Sequence, residues 1–234
     1  MTRALLALTA LVSACTGRQP AEPAPPPTPP PPVARHVWKE GPRPAGDAAV
    51  LVVIHGLGDR PAGILPLVVG APIPAGNGWS WFSGGAALQD PDAFCAELRQ
   101  AADALAADLV ALDLSHGGSR PVGVTGFSQG GMLAWMLALH HPEHIDAALP
   151  LAGYLPRPCL PTGPPPTSAP PVRAFHGEAD DRLPVQNQRD AVTALRAQGW
   201  DATLQTYPGV KHHLNAEIQA DLFSALSDLL PPTR

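Results

Sequence analysis

After Val50 the apolar positions of this chain change period repeatedly. AVLVVIHG (49–56) is apolar almost throughout and ends on glycine, which predicts a strand buried on both faces. LPLVVGAP (65–72) predicts a second. In DPDAFCAELRQAADALAADL (90–109) the spacing switches. Phe94, Leu98, Ala101, Leu105 and Leu109 recur three or four apart, as one stripe of a helix does. Asp90 and Pro91 suit its N-cap and first position. PVGVTGF (121–127) predicts a strand, and QGGMLAWMLALHH (129–141) a helix stopped by Pro142. IDAALPLAG (145–153), PVRAFHG (171–177) and DATLQTYPG (201–209) predict further strands. PVQNQRDAVTALRAQG (184–199) and NAEIQADLFSALSDLL (215–230) predict helices. Strands alternating with helices, with glycines at strand ends, predict an α/β fold. Its mostly parallel central sheet carries helices on both faces.

The N-terminal segment follows different rules. MTRALLALTALVSAC has a basic Arg3, an apolar run from Ala4 and small residues before Cys15. The run is too short to span a bilayer and reads as an export signal. VSAC (12–15) resembles the lipobox of bacterial lipoproteins, which implies cleavage before Cys15 and its acylation. An ordinary secretory signal is the alternative. PAEPAPPPTPPPP (20–32) lacks backbone donors and favours extended polyproline conformation, as a tether would. The expected organisation is a signal over 1–14, a tether over 15–34 and a folded domain over 35–234. The expected location is the cell envelope, membrane-anchored on its periplasmic or outer face.

Composition narrows the partners. The 234 residues suit one domain with a sizeable core. Charged residues make up 15%, the net charge is −5 and no basic stripe is visible, which argues against nucleic acid. A second proline-rich tract, PRPCLPTGPPPTSAPP (156–171), reads as a long surface loop. Export permits a disulfide between Cys95 and Cys159. Their placement in a helix and a loop favours two free thiols instead. No Cys/His set has metal-ligand spacing. His140, His141 and His144 are expected to cap a helix end and meet solvent rather than bind a metal.

In parallel sheets ligands sit at the carboxyl ends of strands, so the residues there carry the chemistry. GFSQG (126–130) fits G-x-S-x-G between a predicted strand and helix. Such a turn strains the serine backbone and lifts its hydroxyl above the sheet, with glycines keeping side chains out of the way. A serine needs a base, and the base an orienting acid. FHGEADDRLP (175–184) offers Glu178, Asp180 and Asp181; YPGVKHHLN (207–215) offers His212 and His213. An oxyanion needs backbone donors. Gln129 N–H, just after the serine, is one candidate; Leu57 N–H, in HGLGD (55–59), is the other.

Taken in order, HGLGD, GFSQGG, HGEADDRLP and YPGVKHH resemble the phospholipase/carboxylesterase family of α/β-hydrolases, which includes acyl-protein thioesterases. APIPAGNGWSWF (71–82) also resembles a stretch of that family. The resemblance implies the α/β-hydrolase fold and hydrolysis of esters or thioesters without a cofactor. It implies Ser128 as nucleophile, Asp180 as acid through H-G-x-x-D, and His212 as base through G-x-x-H, with His213 the alternate. Asp181 then looks like a neighbour and Glu178 a solvated charge. Ser83 stands where the family has aspartate, which leaves substrate preference open. The implied substrate is a small-molecule or lipid-like acyl ester. The rivals are an extracellular polyester or feruloyl-type esterase, and a non-catalytic binding lipoprotein that kept the fold. Trp79, Trp81 and Phe82 either line a pocket or cover the core; Trp135 and Met136 read as core.

Overall fold

A computed structural model describes residues 37–40, 49–59, 67–83, 89–116 and 121–230. The chain divides into two units, Met1–Val33 and Ala34–Arg234. The signal, Cys15 and most of the tether lie in the first, outside the described residues.

The second unit is built on a seven-stranded sheet. Its strands are β1 (Val37–Glu40), β2 (Val50–Ile54), β3 (Leu67–Gly70), β6 (Val122–Phe127), β7 (Ala147–Leu151), β8 (Val172–Gly177) and β9 (Ala202–Tyr207). The spatial order is β1-β3-β2-β6-β7-β8-β9. Every pairing is parallel except β1 with β3. β4 (Ile73–Ala75) and β5 (Gly78–Ser80) form a separate antiparallel hairpin. This is the mostly parallel α/β sheet that the alternating pattern predicts. β1, β4 and β5 were not expected. Each spans three or four residues of mixed character, without the continuous apolar run that marks the equally short β3.

Side chains alternate across the strands and divide the core in two. On β7, Ala147, Leu149 and Leu151 join one cluster and Ala148 the other. The larger cluster takes in α1 (Pro91–His116), α2 (Gln129–His140) and α3 (Val185–Ala197). The smaller one takes in Ile218, Leu222 and Leu226 of α4 (Ala216–Leu229). Helices therefore cover both faces. α2 is buried at every residue from Gln129 to Leu139, as a helix wedged between a sheet and another helix must be. Trp135 and Met136 are core, with no exposure. α1 presents Phe94, Leu98, Leu105 and Leu109 to the core, with Asp90 Oδ1 accepting the Asp92 and Ala93 N–H groups at its cap. It continues to His116 rather than stopping at 109.

Cys95 and Cys159 are joined in a disulfide, against the expectation of free thiols. The proline-rich tract is not wholly a surface loop. Cys159 sits in a 3-10 turn (Arg157–Cys159), wholly buried, with its Cα 5.5 Å from that of Cys95 on α1. That separation is ordinary for a disulfide. Sequence spacing could not show that the tract folds back onto α1.

Candidate active site

β6 delivers Ser128 to the carboxyl edge of the sheet, where α2 begins. Its backbone has φ 58° and ψ −114°, a left-handed conformation that costs a non-glycine residue on the order of 1–3 kcal/mol. Neighbouring bonds hold it there. Ser128 N–H donates to Leu151 O at 2.9 Å, and Met132 N–H donates to Ser128 O at 3.0 Å. The flanking glycines permit close backbone contact. A Cβ on Gly126 would lie 2.5 Å from the Gly130 carbonyl carbon, and one on Gly130 would overlap the Ile54 carbonyl.

Asp180 follows β8 and His212 follows β9. The three side chains meet although 84 residues separate Ser128 from His212. His212 Nδ1 lies 2.6 Å from Asp180 Oδ2, and Nε2 lies 3.0 Å from Ser128 Oγ. A carboxylate only accepts, so Nδ1 carries the proton and donates to Asp180. Nε2 is then bare and accepts the Ser128 hydroxyl proton. Asp180 Oδ1 accepts the Arg182 and Leu183 N–H groups, each at 2.9 Å. Burial alone would raise the Asp180 pKa. The Leu183 N–H, His212 and the Arg182 N–H outweigh it and hold the carboxyl below its usual range.

The other candidates fall elsewhere. His213 makes no bond to Ser128 or Asp180; its N–H donates to Lys211 O. Asp181 is exposed, 3.9 Å from Lys211 Nζ. Glu178 is not simply solvated: Oε1 accepts from Arg189 at 2.7 Å and Thr206 at 2.8 Å.

Gln129 is the first residue of α2, and Leu57 lies in the turn after β2. Among the described residues no acceptor takes either backbone N–H. The turn lies close to the serine, since a Cβ on Gly56 would be 3.6 Å from Ser128 Cβ.

Several residues of the quoted motifs make supporting side-chain bonds that carried no sequence signal. Gln129 Oε1 accepts Trp81 N–H at 3.1 Å, and its Nε2 donates to Ser80 Oγ at 3.1 Å. Ser80 Oγ in turn donates to Phe82 O at 2.6 Å. Trp81 Nε1 donates to His55 O at 2.9 Å. His55 Nε2 accepts Ala71 N–H at 3.1 Å, so Nδ1 is the protonated nitrogen and donates to Gly56 O at 2.7 Å. Burial lowers the His55 pKa, in keeping with this neutral form. Trp81 and Phe82 are core, while Trp79 is partly exposed. Ser83, which replaces the expected aspartate, donates to Glu97 at 2.6 Å.

Behind Asp180 stands His176, wholly buried. Its Nε2–H donates to Leu183 O at 2.7 Å and lies 3.2 Å from Asp180 Oδ2. Burial lowers its pKa as well. His176 is the first residue of H-G-x-x-D, and only the fold shows that it stands against the motif's acid.

The three histidines near the end of α2 also depart from expectation. His140 turns inward, its Nε2 2.9 Å from Cys159 O. His141 and His144 have carboxylates beside them rather than solvent alone. His141 Nε2 is 2.8 Å from Asp103 Oδ1, and His144 Nε2 is 3.3 Å from Glu143 Oε1.

A nucleophile-bearing turn, a bridging imidazole and a buried carboxylate can perform acyl transfer. A sequence model of the dienelactone hydrolase family matches residues 91–225, more than half of the chain. The chain belongs to the dienelactone hydrolase family. This match covers Ser128, Asp180 and His212 but begins after Leu57. Among relatives of this dienelactone hydrolase family chain is a putative carboxymethylenebutenolidase of Yersinia pestis. It is 32% identical over 111 residues, covering 44% of this chain and 40% of that protein. Acyl-protein thioesterase 1 of Gibberella zeae is 31% identical over 111 residues, covering 46% and 47%. The chain thus spans less than half the length of these curated relatives. The structure of esterase PE8 aligns with TM-score 0.69 and 25% identity over 83% of this chain and 98% of that one. Acyl-protein thioesterase 2 of Zea mays aligns with TM-score 0.60 and 21% identity over 84% and 99%, a likeness of fold. The fold is that of the α/β-hydrolases, and the family supports hydrolysis of esters.

Proposed function

We propose that this chain is a serine hydrolase that cleaves a carboxylic ester or thioester through an acyl-enzyme on Ser128. The observation that carries this reading is the continuous hydrogen-bonded path Ser128–His212–Asp180, built on a strained strand-to-helix turn.

Ser128 Oγ attacks the carbonyl carbon while its proton passes to His212 Nε2. The tetrahedral oxyanion is stabilised by the N–H groups of Leu57 and Gln129. His212 returns the proton to the departing alkoxide or thiolate, leaving the acyl group on Ser128. Water then attacks, giving its proton to the same nitrogen, and the acid leaves as Ser128 recovers its proton. Asp180 orients the ring and stabilises its charged form. None of these steps calls for a cofactor.

The relatives named carboxymethylenebutenolidase support a second substrate class, cyclic esters. A butenolide is a lactone, and the same attack opens it. The N-terminal pattern supports export and acylation at Cys15, which would hold the enzyme at a membrane surface. Replacing Cys15 by serine is expected to abolish incorporation of labelled fatty acid; unchanged labelling would refute the anchor.

Labelling with a fluorophosphonate, beside turnover of p-nitrophenyl esters of rising chain length and a butenolide, tests the mechanism. Ser128→Ala is expected to abolish labelling and lower kcat by a factor on the order of 10⁴ or more. Folded wild-type protein that neither labels nor turns over would favour the binding-protein rival. Equal activity in both proteins would rule out Ser128 as nucleophile.

A further inference from the structure

The cluster His141, Glu143 and His144 takes no part in the mechanism above. Each residue offers one ligand atom, and these atoms lie within 4.8 Å of one another. We propose that this cluster is a binding site for a zinc-type divalent transition-metal ion.

Local structure brings the groups together. Pro142 opens a 3-10 turn over Pro142–His144, and His144 N–H donates to His141 O at 3.1 Å. Three residues per turn place positions i and i+3 over one another. The His141 and His144 rings accordingly stack, with centroids 6.3 Å apart and planes at 18°. Glu143 joins them with Oε1 3.3 Å from His144 Nε2.

A fourth residue, from another helix, orients the set. Asp103 of α1 accepts from His141 Nε2 at 2.8 Å. That bond fixes the proton on Nε2 and leaves the lone pair of Nδ1 for a cation. A carboxylate that takes the second N–H of an imidazole is the usual partner of a metal-bound histidine. Two imidazoles and one carboxylate suit zinc and its neighbours. Magnesium and calcium prefer oxygen ligands alone. Three protein ligands leave one position of a tetrahedral zinc site for water.

The site stands apart from Ser128. The 12 residues of α2 lie between them, a rise of about 18 Å. A metal there would serve structure, not acyl transfer. It would clip the far end of α2, through Asp103, to α1. Because α2 begins at the serine turn, the clip would steady the helix that carries that turn.

Calorimetry with zinc chloride on the full chain, lacking any added histidine tag and stripped by chelator, tests the site. The expected result is one zinc per chain, no binding of magnesium, and a melting temperature raised by roughly 5–10 °C at a hundredfold excess over Kd. Glu143→Gln and His144→Ala should each remove the binding while the metal-free proteins melt as wild type does. Both residues reach the surface, and if His144→Ala fails to fold, Glu143→Gln stands alone. Absence of zinc binding at about 1 mM overturns the proposal, as does zinc binding that persists undiminished in the variants. The readout needs no esterase activity, so it stands or falls independently of Ser128.

Discussion

Gln129 serves the site in two separate ways. Its backbone N–H follows Ser128, a placement legible in the sequence because it depends on one position along the chain. Its side chain holds Trp81 N–H and Ser80 Oγ, 48 and 49 residues earlier. No local pattern announces that pairing. The network is buried, so losing one partner leaves donors unsatisfied. Gln129→Ala is expected to cost about 1–3 kcal/mol of stability, measured by urea unfolding. It should also lower kcat, although this side chain is buried, because it holds Trp81, which braces the His55 carbonyl beside the Leu57 turn. Unchanged unfolding and kcat would show that the network is dispensable. The identities of Ser128, Asp180 and His212 were legible for a related reason. Each follows a strand end, two or three residues after a glycine (Gly126, Gly177 and Gly209). His176 and His55 were not, because their work is to satisfy neighbours that only folding supplies.

At the scale of elements, continuous apolar runs and long stripes were predictable and short mixed segments were not; β3 (LVVG) is no longer than β1 (VWKE), but its apolar run shows. α2 and β6 carry enough consecutive apolar residues to declare themselves. β1 and the β4–β5 hairpin exist because a neighbouring strand or turn pairs with them. Gly58 N–H, for example, donates to Trp79 O at 2.9 Å and ties the Leu57 turn to β5. The Cys95–Cys159 bond is likewise a contact between elements. It closes a sequence separation of 64 residues and fastens the proline-rich tract to α1. Constraining the unfolded chain over such a loop is worth about 2–4 kcal/mol. The double variant Cys95→Ala/Cys159→Ala should lose about that much by chemical denaturation. A wild-type midpoint that is unmoved by reductant, with both thiols shown to be free, would remove the bond from the account of stability.

For the molecule as a whole, the buried histidines set a pH dependence. Burial lowers the pKa values of His55, His140 and His176 from 6.5. The unfolded chain therefore binds protons first as the pH falls below about 6.5. Their contribution to stability is complete above that value and is lost as pH drops toward the lower folded values. Asp180 acts in the same direction at lower pH. Its folded pKa lies below the ordinary 3.8, so its contribution is present above 3.8 and lost beneath it. Stability against denaturant should thus decline from pH 7 to pH 5, before the carboxylates titrate. A flat profile across that interval would contradict the neutral, buried state of these rings. Among the described residues, no helix is long and apolar enough to cross a membrane.

The alternation of apolar runs and helical stripes determined the class of the fold. The order of short motifs at strand ends marked Ser128, Asp180 and His212 as the candidate serine, acid and base. Both are local properties, written in residues adjacent along the chain. Tertiary structure decided whatever depends on distance through space. It brought His212 and Asp180 onto Ser128, bonded Cys95 to Cys159, and set Asp103 against His141. It also turned Gln129 toward a hairpin whose short, mixed strands do not show in the sequence. These contacts arise when the sheet twists and its loops converge, so their physical cause lies in packing between segments, where one-dimensional periodicity carries no information.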